Sequence, residues 1–168
     1  YESHPGKTLI KHTNGVCDKA TQIWDSPVVR IASKGHDFGK LNINFGKKLR
    51  GEDCTGLYTS HAYLSYLTLI SYYLERKTTG IIPSLRDLIV AAVCVIKHHG
   101  ALRNFDEIIN PEERDRLFEF LKDDPYFPVH EFMKQIGFDT TGRPINHRLC
   151  LGNQKIFGAI FTDLKLLN

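Results

Sequence analysis

Hydrophobic residues recur every three or four positions along most of the chain, which is the period of one face of an α-helix. No stretch of the sequence alternates between apolar and polar residues for long enough to indicate a sheet. The pattern therefore predicts an all-α fold. A length of 168 residues fits one hydrophobic core, so we expect residues 1–168 to form a single domain.

The first helices are delimited by capping and helix-ending residues. We expect the first helix from about Thr8 to Trp24, with this inward face: Leu9, His12, Val16, Ala20 and Ile23. The second begins after Ser26-Pro27, a capping residue followed by proline, and ends at Gly39. From Leu41 to Thr59 the chain is rich in glycine and basic residues, which predicts a loop or short turns.

Two strongly hydrophobic helices follow. The third is expected to open at Ser60, with His61 in its first turn and these residues facing inward: Leu64, Leu67, Ile70 and Leu74. The fourth begins at Ser84, three residues before Asp87, and this is its inward stripe: Leu85, Leu88, Ala92, Val95 and His99. Gly100 is expected to end it in a left-handed conformation.

Three further helices are predicted in the last third of the chain. They run from Arg114 to Lys122, from Val129 to Ile136, and from about Leu149 to Leu167. On the last of these, Asp163 shares a face with aliphatic residues, so a carboxylate is expected to point inward.

Composition narrows the function classes only slightly. A formal charge of +3 and a pI near 8.6 are compatible with a phosphate-rich partner but do not require one. No apolar run approaches the ~20 residues of a membrane-spanning helix, and no signal-peptide pattern is present, so we expect a soluble, cytoplasmic protein with no membrane partner. The chain starts at Tyr1 and stops inside an apolar, helix-like stretch, which favours a processed chain or a piece excised from a longer protein.

The four cysteines lie far apart and form no C-x-x-C pair, which predicts reduced side chains and neither a zinc knuckle nor a redox motif. Cys17 and Cys94 stand among apolar residues at helical spacing. We therefore expect both of them to be buried by packing.

Eight histidines are the unusual feature of the composition, because imidazole is the commonest protein ligand of transition metals. Five histidines and two aspartates fall on inward faces or at helix ends: His12, His36, Asp37, His61, His98, His99 and Asp163. A buried carboxylate or imidazole is costly unless it is paired or bound to a metal. Two divalent ions would accept all seven donors, and Asp37, about 100° around a helix from His36, is placed to bridge them.

Each donor also has an interpretation without a metal. His12 would be a core histidine with ordinary partners, and His61 a surface residue. The His98-His99 pair ends a helix, whose C-terminal dipole favours a protonated imidazole. Asp163 would pair with an arginine such as Arg148. All of these interpretations would have to hold together, so the order and spacing of the donors decide.

That order, H…HD…H…HH…D, resembles the HD superfamily of metal-dependent phosphohydrolases. The motifs around the donors are similar as well. His36-Asp37-Phe38-Gly39-Lys40 resembles H-D-x-G-K, the segment from Ser60 to Ser65 resembles the H-x-x-L-S helix start, and His98-His99-Gly100 resembles the H-H-G turn.

Within that superfamily the chain is most similar to the CRISPR-associated HD nucleases, and the resemblance covers essentially its whole length. Asn42 and Phe45 stand where those nucleases carry a similar loop, and Tyr1-Glu2-Ser3 with His12 is similar to their start. Two segments depart from the pattern. Lys34-Gly35 replaces two aliphatic residues, and the residues after Asp163 differ from the usual A-D-x-x-A-S.

The resemblance implies an HD-domain helical bundle with a two-metal site between helices, formed by the seven donors. It implies two divalent transition-metal ions, Mn, Fe, Co or Ni, with Mg less suited because Mg prefers oxygen ligands and water. A water activated by these ions would attack a phosphodiester. Asp37 and Lys40 are the expected catalytic residues, with Lys40 steadying charge or orienting Asp37, unless Lys40 is only a helix C-terminal cation.

The implied function is a metal-dependent DNA nuclease that prefers single-stranded DNA and acts in type I CRISPR interference and antiviral defence. Its implied partners are an ATP-dependent helicase, fused or separate, and a guide-RNA surveillance complex. The chain contains no G-x-x-x-x-G-K-[ST] motif, so the motor would lie elsewhere. Lys47, Lys48 and Arg50 would track the DNA backbone or form an ordinary solvated loop.

Two other functions stay open. The first is an HD phosphodiesterase or phosphohydrolase acting on nucleotides or cyclic dinucleotides, although Gly-Ala-Leu-Arg-Asn after His98-His99 does not match the extended H-H-E-x-x-D-G-x-G-Y-P motif of the cyclic-dinucleotide enzymes. The second is a non-catalytic HD module that binds nucleic acid or a partner protein. The complete set of metal donors argues against it.

Overall fold

The computed structural model describes residues 1–75, 84–100, 111–123, 129–141 and 145, and this part of the chain is mostly helical, as predicted. A two-stranded hairpin, β1 Glu2–His4 and β2 Lys7–Thr8, precedes the helices. The α-helices are α1 Leu9–Ile23, α2 Pro27–Gly35, α3 Ile43–Leu49, α4 Ala62–Glu75, α5 Leu85–Lys97, α6 Pro111–Asp123 and α7 His130–Gln135. A short 3₁₀ helix, Phe38–Leu41, lies between α2 and α3.

Helix α4 is the centre of the core. Every side chain from Tyr63 to Tyr73 is buried, because α4 is apolar on all faces and packs against α2, α5, α6 and the 3₁₀ helix. Its buried hydroxyls, on Ser65, Thr68 and Ser71, each donate to the carbonyl oxygen four residues earlier, which satisfies them inside the helix. Helix α4 can therefore carry three polar side chains in the core, because their hydroxyl groups have hydrogen-bond partners within the helix.

Helices α2 and α5 pack against α4, and α1 packs against α2. Ser26 and Ser84 cap α2 and α5, as predicted, by accepting from the backbone N–H groups of Val29 and Asp87. Of the stripe predicted for α5, the burial of Leu88, Ala92 and Val95 is confirmed, while the side chain of Leu85 lies outside the described ones.

The inward face predicted for α1 is wrong in part. Ile23 is 88% exposed, and the buried residues of the helix are Leu9, Thr13 and Cys17. These residues are four positions apart, which is slightly more than one helical turn. The buried face therefore shifts gradually around the helix and departs from the predicted face toward the C-terminal end. The burial predicted for Cys17 is confirmed. That for Cys94 is wrong, because it is exposed and lies about 100° around α5 from Val95.

The segment after α2 differs most from the prediction. Helix α2 ends at Gly35, not Gly39, so His36 and Asp37 lie beyond it in a turn that leads into the 3₁₀ helix. Gly35 allows close packing, because a Cβ there would stand 3.0 Å from Leu69 of α4. The predicted loop from Leu41 to Thr59 contains α3, whose start is capped by the Asn42 side chain.

The hairpin is a small departure from the all-α prediction. Its turn contains Pro5-Gly6, and Gly6 has a φ of 76°, a left-handed conformation that favours glycine. The Leu9 N–H donates to the Tyr1 carbonyl, which joins the hairpin to the start of α1. The hairpin therefore lies next to the segment that carries His12.

The remaining elements follow the predictions closely. Helices α6 and α7 match the predicted segments within a few residues, and Gly137 ends α7 with a φ of 83°. The left-handed conformation predicted for Gly100 is wrong, since its φ is not positive. The last predicted helix, Leu149 to Leu167, lies outside the described residues. Within the part of the chain that is described, no helix has both the length and the hydrophobicity to cross a membrane.

Candidate metal centre

Asp37 is the centre of the site. Its side chain is only 1% exposed, yet each carboxylate oxygen faces a different set of imidazoles. Oδ2 lies 3.0 Å from His12 Nε2 and 3.1 Å from His36 Nε2. Oδ1 lies 3.6 Å from His61 Nε2 and 3.6 Å from His98 Nε2. One carboxylate therefore joins two groups of donors that come from different parts of the chain.

The first group, which we call the inner set, consists of His12, His36 and Asp37. All three offer ligand atoms within 4.8 Å of one another. His12 comes from the second turn of α1, and His36 directly follows α2, so the packing of these two helices brings the rings together. Their Nε2 atoms are 3.2 Å apart.

The second group, the outer set, consists of Asp37, His61, His98 and His99. Their ligand atoms also lie within 4.8 Å of one another. His61 immediately precedes α4, while His98 and His99 directly follow α5, so the packing of α4 against α5 forms the set. His99 Nε2 lies 2.9 Å from His61 Nε2.

Backbone carbonyls fix two of these rings in the orientation that a metal ligand needs. Nδ1 of His36 lies 2.7 Å from the Ser33 carbonyl oxygen, and Nδ1 of His98 lies 2.6 Å from the Val95 carbonyl oxygen. Nδ1 must donate in each pair, because a carbonyl oxygen only accepts. In the form of each ring that can bind a metal, the lone pair is then on Nε2, the atom that points at Asp37.

The spacing of the donors is compatible with a bound metal ion. Two ligands about 2.1 Å from one ion, at angles of 90–110°, lie about 3.0–3.4 Å apart. The two Nε2 pairs, at 3.2 and 2.9 Å, are close to this spacing. Among the described residues, Asp37 Oδ1, His98 Nε2 and His12 Nδ1 are buried without a hydrogen-bond partner, while Asp37 Oδ2 pairs with the Lys40 ammonium. Buried polar atoms of this kind call for a further partner, and a cation suits Oδ1 and Nε2.

The protonation states also suit metal binding. Burial lowers the pKa of His61 to about 3 and lowers the pKa of His12 and His99, despite the opposing charge of Asp37. Burial alone would raise the pKa of Asp37, but polar contacts with His36, His98 and Lys40 outweigh it and hold this pKa below its ordinary value. His12, His61 and His99 are thus favoured as neutral imidazoles and Asp37 as an ionised carboxylate, which are the forms that bind metals.

Lys40 is part of the same buried cluster. Its Nζ lies 3.0 Å from Asp37 Oδ2 and donates to the Ser3 carbonyl oxygen at 3.4 Å, and its side chain is 5% exposed. It also lies over the Phe45 ring. Lys40 is thus placed to position Asp37, and its buried ion pair distinguishes it from an ordinary solvated cation at a helix end.

Gly39 and Ser65 hold the Asp37 segment against the start of α4. A Cβ on Gly39 would overlap the carbonyl oxygen of His61, so only glycine allows this approach. The Gly39 N–H donates to Ser65 Oγ at 2.8 Å, and Ser65 Oγ donates to the His61 carbonyl at 2.7 Å. These two bonds tie the segment that carries Asp37 to the segment that carries His61.

The structure brings together six of the seven donors named from the sequence: His12, His36, Asp37, His61, His98 and His99. The seventh, Asp163, lies outside the described residues, as does Arg148. His36 and Asp37 converge from a turn and not from a helix, and the inward position predicted for His99 is wrong because His99 is exposed. His98 Nδ1 makes the helix-end contact that the metal-free interpretation expects, but its Nε2 faces Asp37.

Ser3 and Ser65 stand in segments that resemble the nuclease motifs, but neither of them is given a role by the sequence alone. Ser3 could have been approached through the Pro5-Gly6 turn signal, which predicts a hairpin next to α1. The role of Ser65 depends on a contact between residues 26 positions apart, which no local pattern indicates. Of the basic residues, Lys47 and Lys48 are at the end of α3, and Arg50 pairs with Glu52.

Comparison with known proteins adds no relative. No protein-family model matches the chain, and no curated protein or solved structure matches it significantly. The geometry of the site and the resemblance of its motifs are therefore the two indications of what the protein does.

Proposed function

We propose that the protein is a metal-dependent phosphodiesterase of the HD superfamily, and specifically a DNA nuclease of type I CRISPR interference. One observation carries the proposal. A single buried carboxylate, Asp37, presents its two oxygens to two separate groups of imidazoles. This is the arrangement that a bridging ligand between two ions requires, and paired ions are a recurrent device of phosphodiester hydrolysis.

The inner set would hold one ion and the outer set the other, with Asp37 shared. Mixed imidazole and carboxylate ligands favour Mn, Fe, Co or Ni over Mg. When bound, such ions lower the pKa of a coordinated water and neutralise charge on a phosphate. That chemistry matches the hydrolysis of a phosphodiester at neutral pH.

The protein's own residues prepare the site for this reaction. Lys40 and the Ser33 and Val95 carbonyls hold Asp37, His36 and His98 in fixed orientations, so little reorganisation is needed when substrate binds. The exposed ring of His99 marks the side from which substrate reaches the centre.

Single-stranded DNA is the proposed substrate, because an exposed phosphodiester backbone reaches a site between helices more easily than a duplex does. The resemblance of the motifs to CRISPR-associated nucleases supports a helicase and a guide-RNA surveillance complex as the proposed partners in antiviral defence. The helicase would supply displaced single strands, and this chain would cut them.

The test is a cleavage assay on circular single-stranded DNA with Mn²⁺, with cyclic dinucleotides and deoxynucleoside triphosphates as parallel substrates. We expect cutting of DNA with Mn²⁺, little with Mg²⁺ alone, and none by His36→Ala or Asp37→Ala. Preferential hydrolysis of the small nucleotides would replace the nuclease with the phosphohydrolase alternative. Protein that binds no metal and cuts nothing would instead be the non-catalytic module.

A further inference from the structure

A pocket of about 320 Å³ opens directly beside the outer set, and His61 and His99 form part of its wall. Small-ligand pockets span about 300–1,000 Å³, so this one is large enough for a single small polar unit. Its other walls come from the end of α3, from the Tyr58–Ala62 segment and from the first turns of α6. Anything bound there would lie next to the candidate metal centre.

Two cationic side chains line the pocket, and they come from different helices. Lys48 comes from α3 and Arg116 from α6, both are exposed, and neither takes part in an ion pair within the described part of the chain. Arg114, only two residues from Arg116, pairs with Asp115. The two unpaired cations leave the pocket ready for an anion, and guanidinium and ammonium groups both bind phosphate.

The inner wall of the pocket is formed by buried groups, in contrast to the exposed cations. Tyr58 is 5% exposed and its ring stacks on Phe120 of α6, which holds α6 over the pocket. The Tyr58 hydroxyl and Glu113 Oε1 are both buried and lie close to each other, with Ser60 also beside the hydroxyl, but no hydrogen bond of ordinary geometry joins them within the described residues. A carboxylate repels phosphate and accepts from N–H or O–H groups, so this wall suits the uncharged part of a ligand.

We infer that this pocket is a subsite for the nucleotide next to the scissile phosphate, with Lys48 and Arg116 binding its phosphate and Tyr58 and Glu113 facing its base and sugar. The inference rests on the proposed nuclease function and extends it. It also gives the substrate strand a direction across the centre. The strand extends from the metal pair on the His61 and His99 side, away from His12.

The test measures binding of a fluorescein-labelled single-stranded DNA of about six nucleotides by fluorescence anisotropy. It is done in chelator, so that no cutting occurs and metal is not needed. Each phosphate contact to a single strand contributes about 0.7 to the slope of log affinity against log salt. The double variant Lys48→Gln/Arg116→Gln should therefore lower the magnitude of that slope by about 1.4.

The matched control is Lys19→Gln/Arg114→Gln, which removes the same charge from an exposed position on α1 and from a residue of α6 that does not line the pocket. It should leave the slope unchanged. Tyr58→Phe should weaken binding about fivefold without changing the slope, since it removes one hydroxyl and no charge. Equal slopes for the two double variants, or no binding by the wild type, would overturn the subsite.

The Mn²⁺ cleavage assay on the same proteins separates this inference from the proposed function. Absence of cutting together with the predicted difference in slopes would refute the nuclease and leave a nucleotide subsite. Cutting together with identical slopes would keep the nuclease and refute the subsite.

Discussion

The inner and outer sets share Asp37 but differ in how closely their atoms are held. The inner imidazoles lie 3.0 and 3.1 Å from Oδ2, and Lys40 contacts the same oxygen. The outer imidazoles lie 3.6 Å from Oδ1, and their set includes an exposed ring and borders the pocket. If the proposed two-ion centre is correct, we expect the inner set to retain its ion more firmly and the outer set to be the one that contacts substrate.

Removing the shared ligand should produce the largest effect. Asp37→Asn keeps the shape of the side chain but removes the charge that both sets use, so we expect loss of both ions and at least about a 1,000-fold loss of cutting. Metal content by mass spectrometry and the cleavage rate would measure it. Asp18→Asn, an exposed acid on α1, is the control and should retain about two ions per chain. Normal metal content in Asp37→Asn would contradict the bridging role.

The second-largest effect is expected from a substitution that forces the inner and outer sets apart. Gly39→Ala places a Cβ on the His61 carbonyl, so we expect the free energy of unfolding to fall by about 3 kcal/mol and metal to bind poorly at the outer set. Gly15→Ala is the matched control, because nothing lies near its Cβ in α1, and it should stabilise by about 0.5–1 kcal/mol. Urea unfolding measures both. Similar behaviour of the two variants would show that the close approach at Gly39 is not required.

Acid should destabilise the metal-free protein through the buried imidazoles. Histidine in the unfolded chain protonates near pH 6.5, whereas the pKa of folded His61 is about 3, so the unfolded state binds more protons between these values. Stability therefore falls as the pH is lowered through this window, by about 2 kcal/mol from pH 7.5 to 5 for His61 alone. His61→Gln should flatten the urea-derived pH profile. An unchanged profile would mean that His61 is not held neutral in the folded protein.

The smallest expected effect is at the exposed edge of the outer set. His99→Gln should lower the affinity of the outer set for its ion about tenfold, because Asp37, His61 and His98 remain as ligands. The affinity of the inner set for its ion should not change. Stepwise removal with a chelator would measure it, with the inner ion released last. His36→Gln is the matched comparison and should instead speed the release of the retained ion. Simultaneous loss of both ions in His99→Gln would remove the distinction between the sets.

Much of the helical framework is predictable from local signals. Ser26-Pro27 and Ser84 mark helix starts correctly because a capping side chain acts within three residues of its partner. Helices α4 and α5 are recognisable because their burial requires apolar residues at helical spacing. The end of α2 is not predictable in this way. Gly35 ends the helix because the chain must turn there to place Asp37 beside the residues that flank α4 and α5. Those residues are distant in sequence, so no local signal marks the turn.

The identity of the donors could be proposed from the sequence, but their geometry could not. Residue order suggested which histidines belong together, whereas the division into two sets depends on which oxygen of Asp37 each ring faces. That division follows from the packing of α1 with α2 and of α4 with α5. Contacts such as Gly39 with Ser65, and the pocket wall from α6, join residues far apart in sequence and have no local pattern.

The most direct test of the shared carboxylate is anomalous diffraction from crystals of the protein grown with Mn²⁺. We expect two anomalous peaks about 3.5–4 Å apart, one among His12, His36 and Asp37 and the other among Asp37, His61, His98 and His99. A single peak, or two peaks of which one lacks Asp37 as a ligand, would contradict the account.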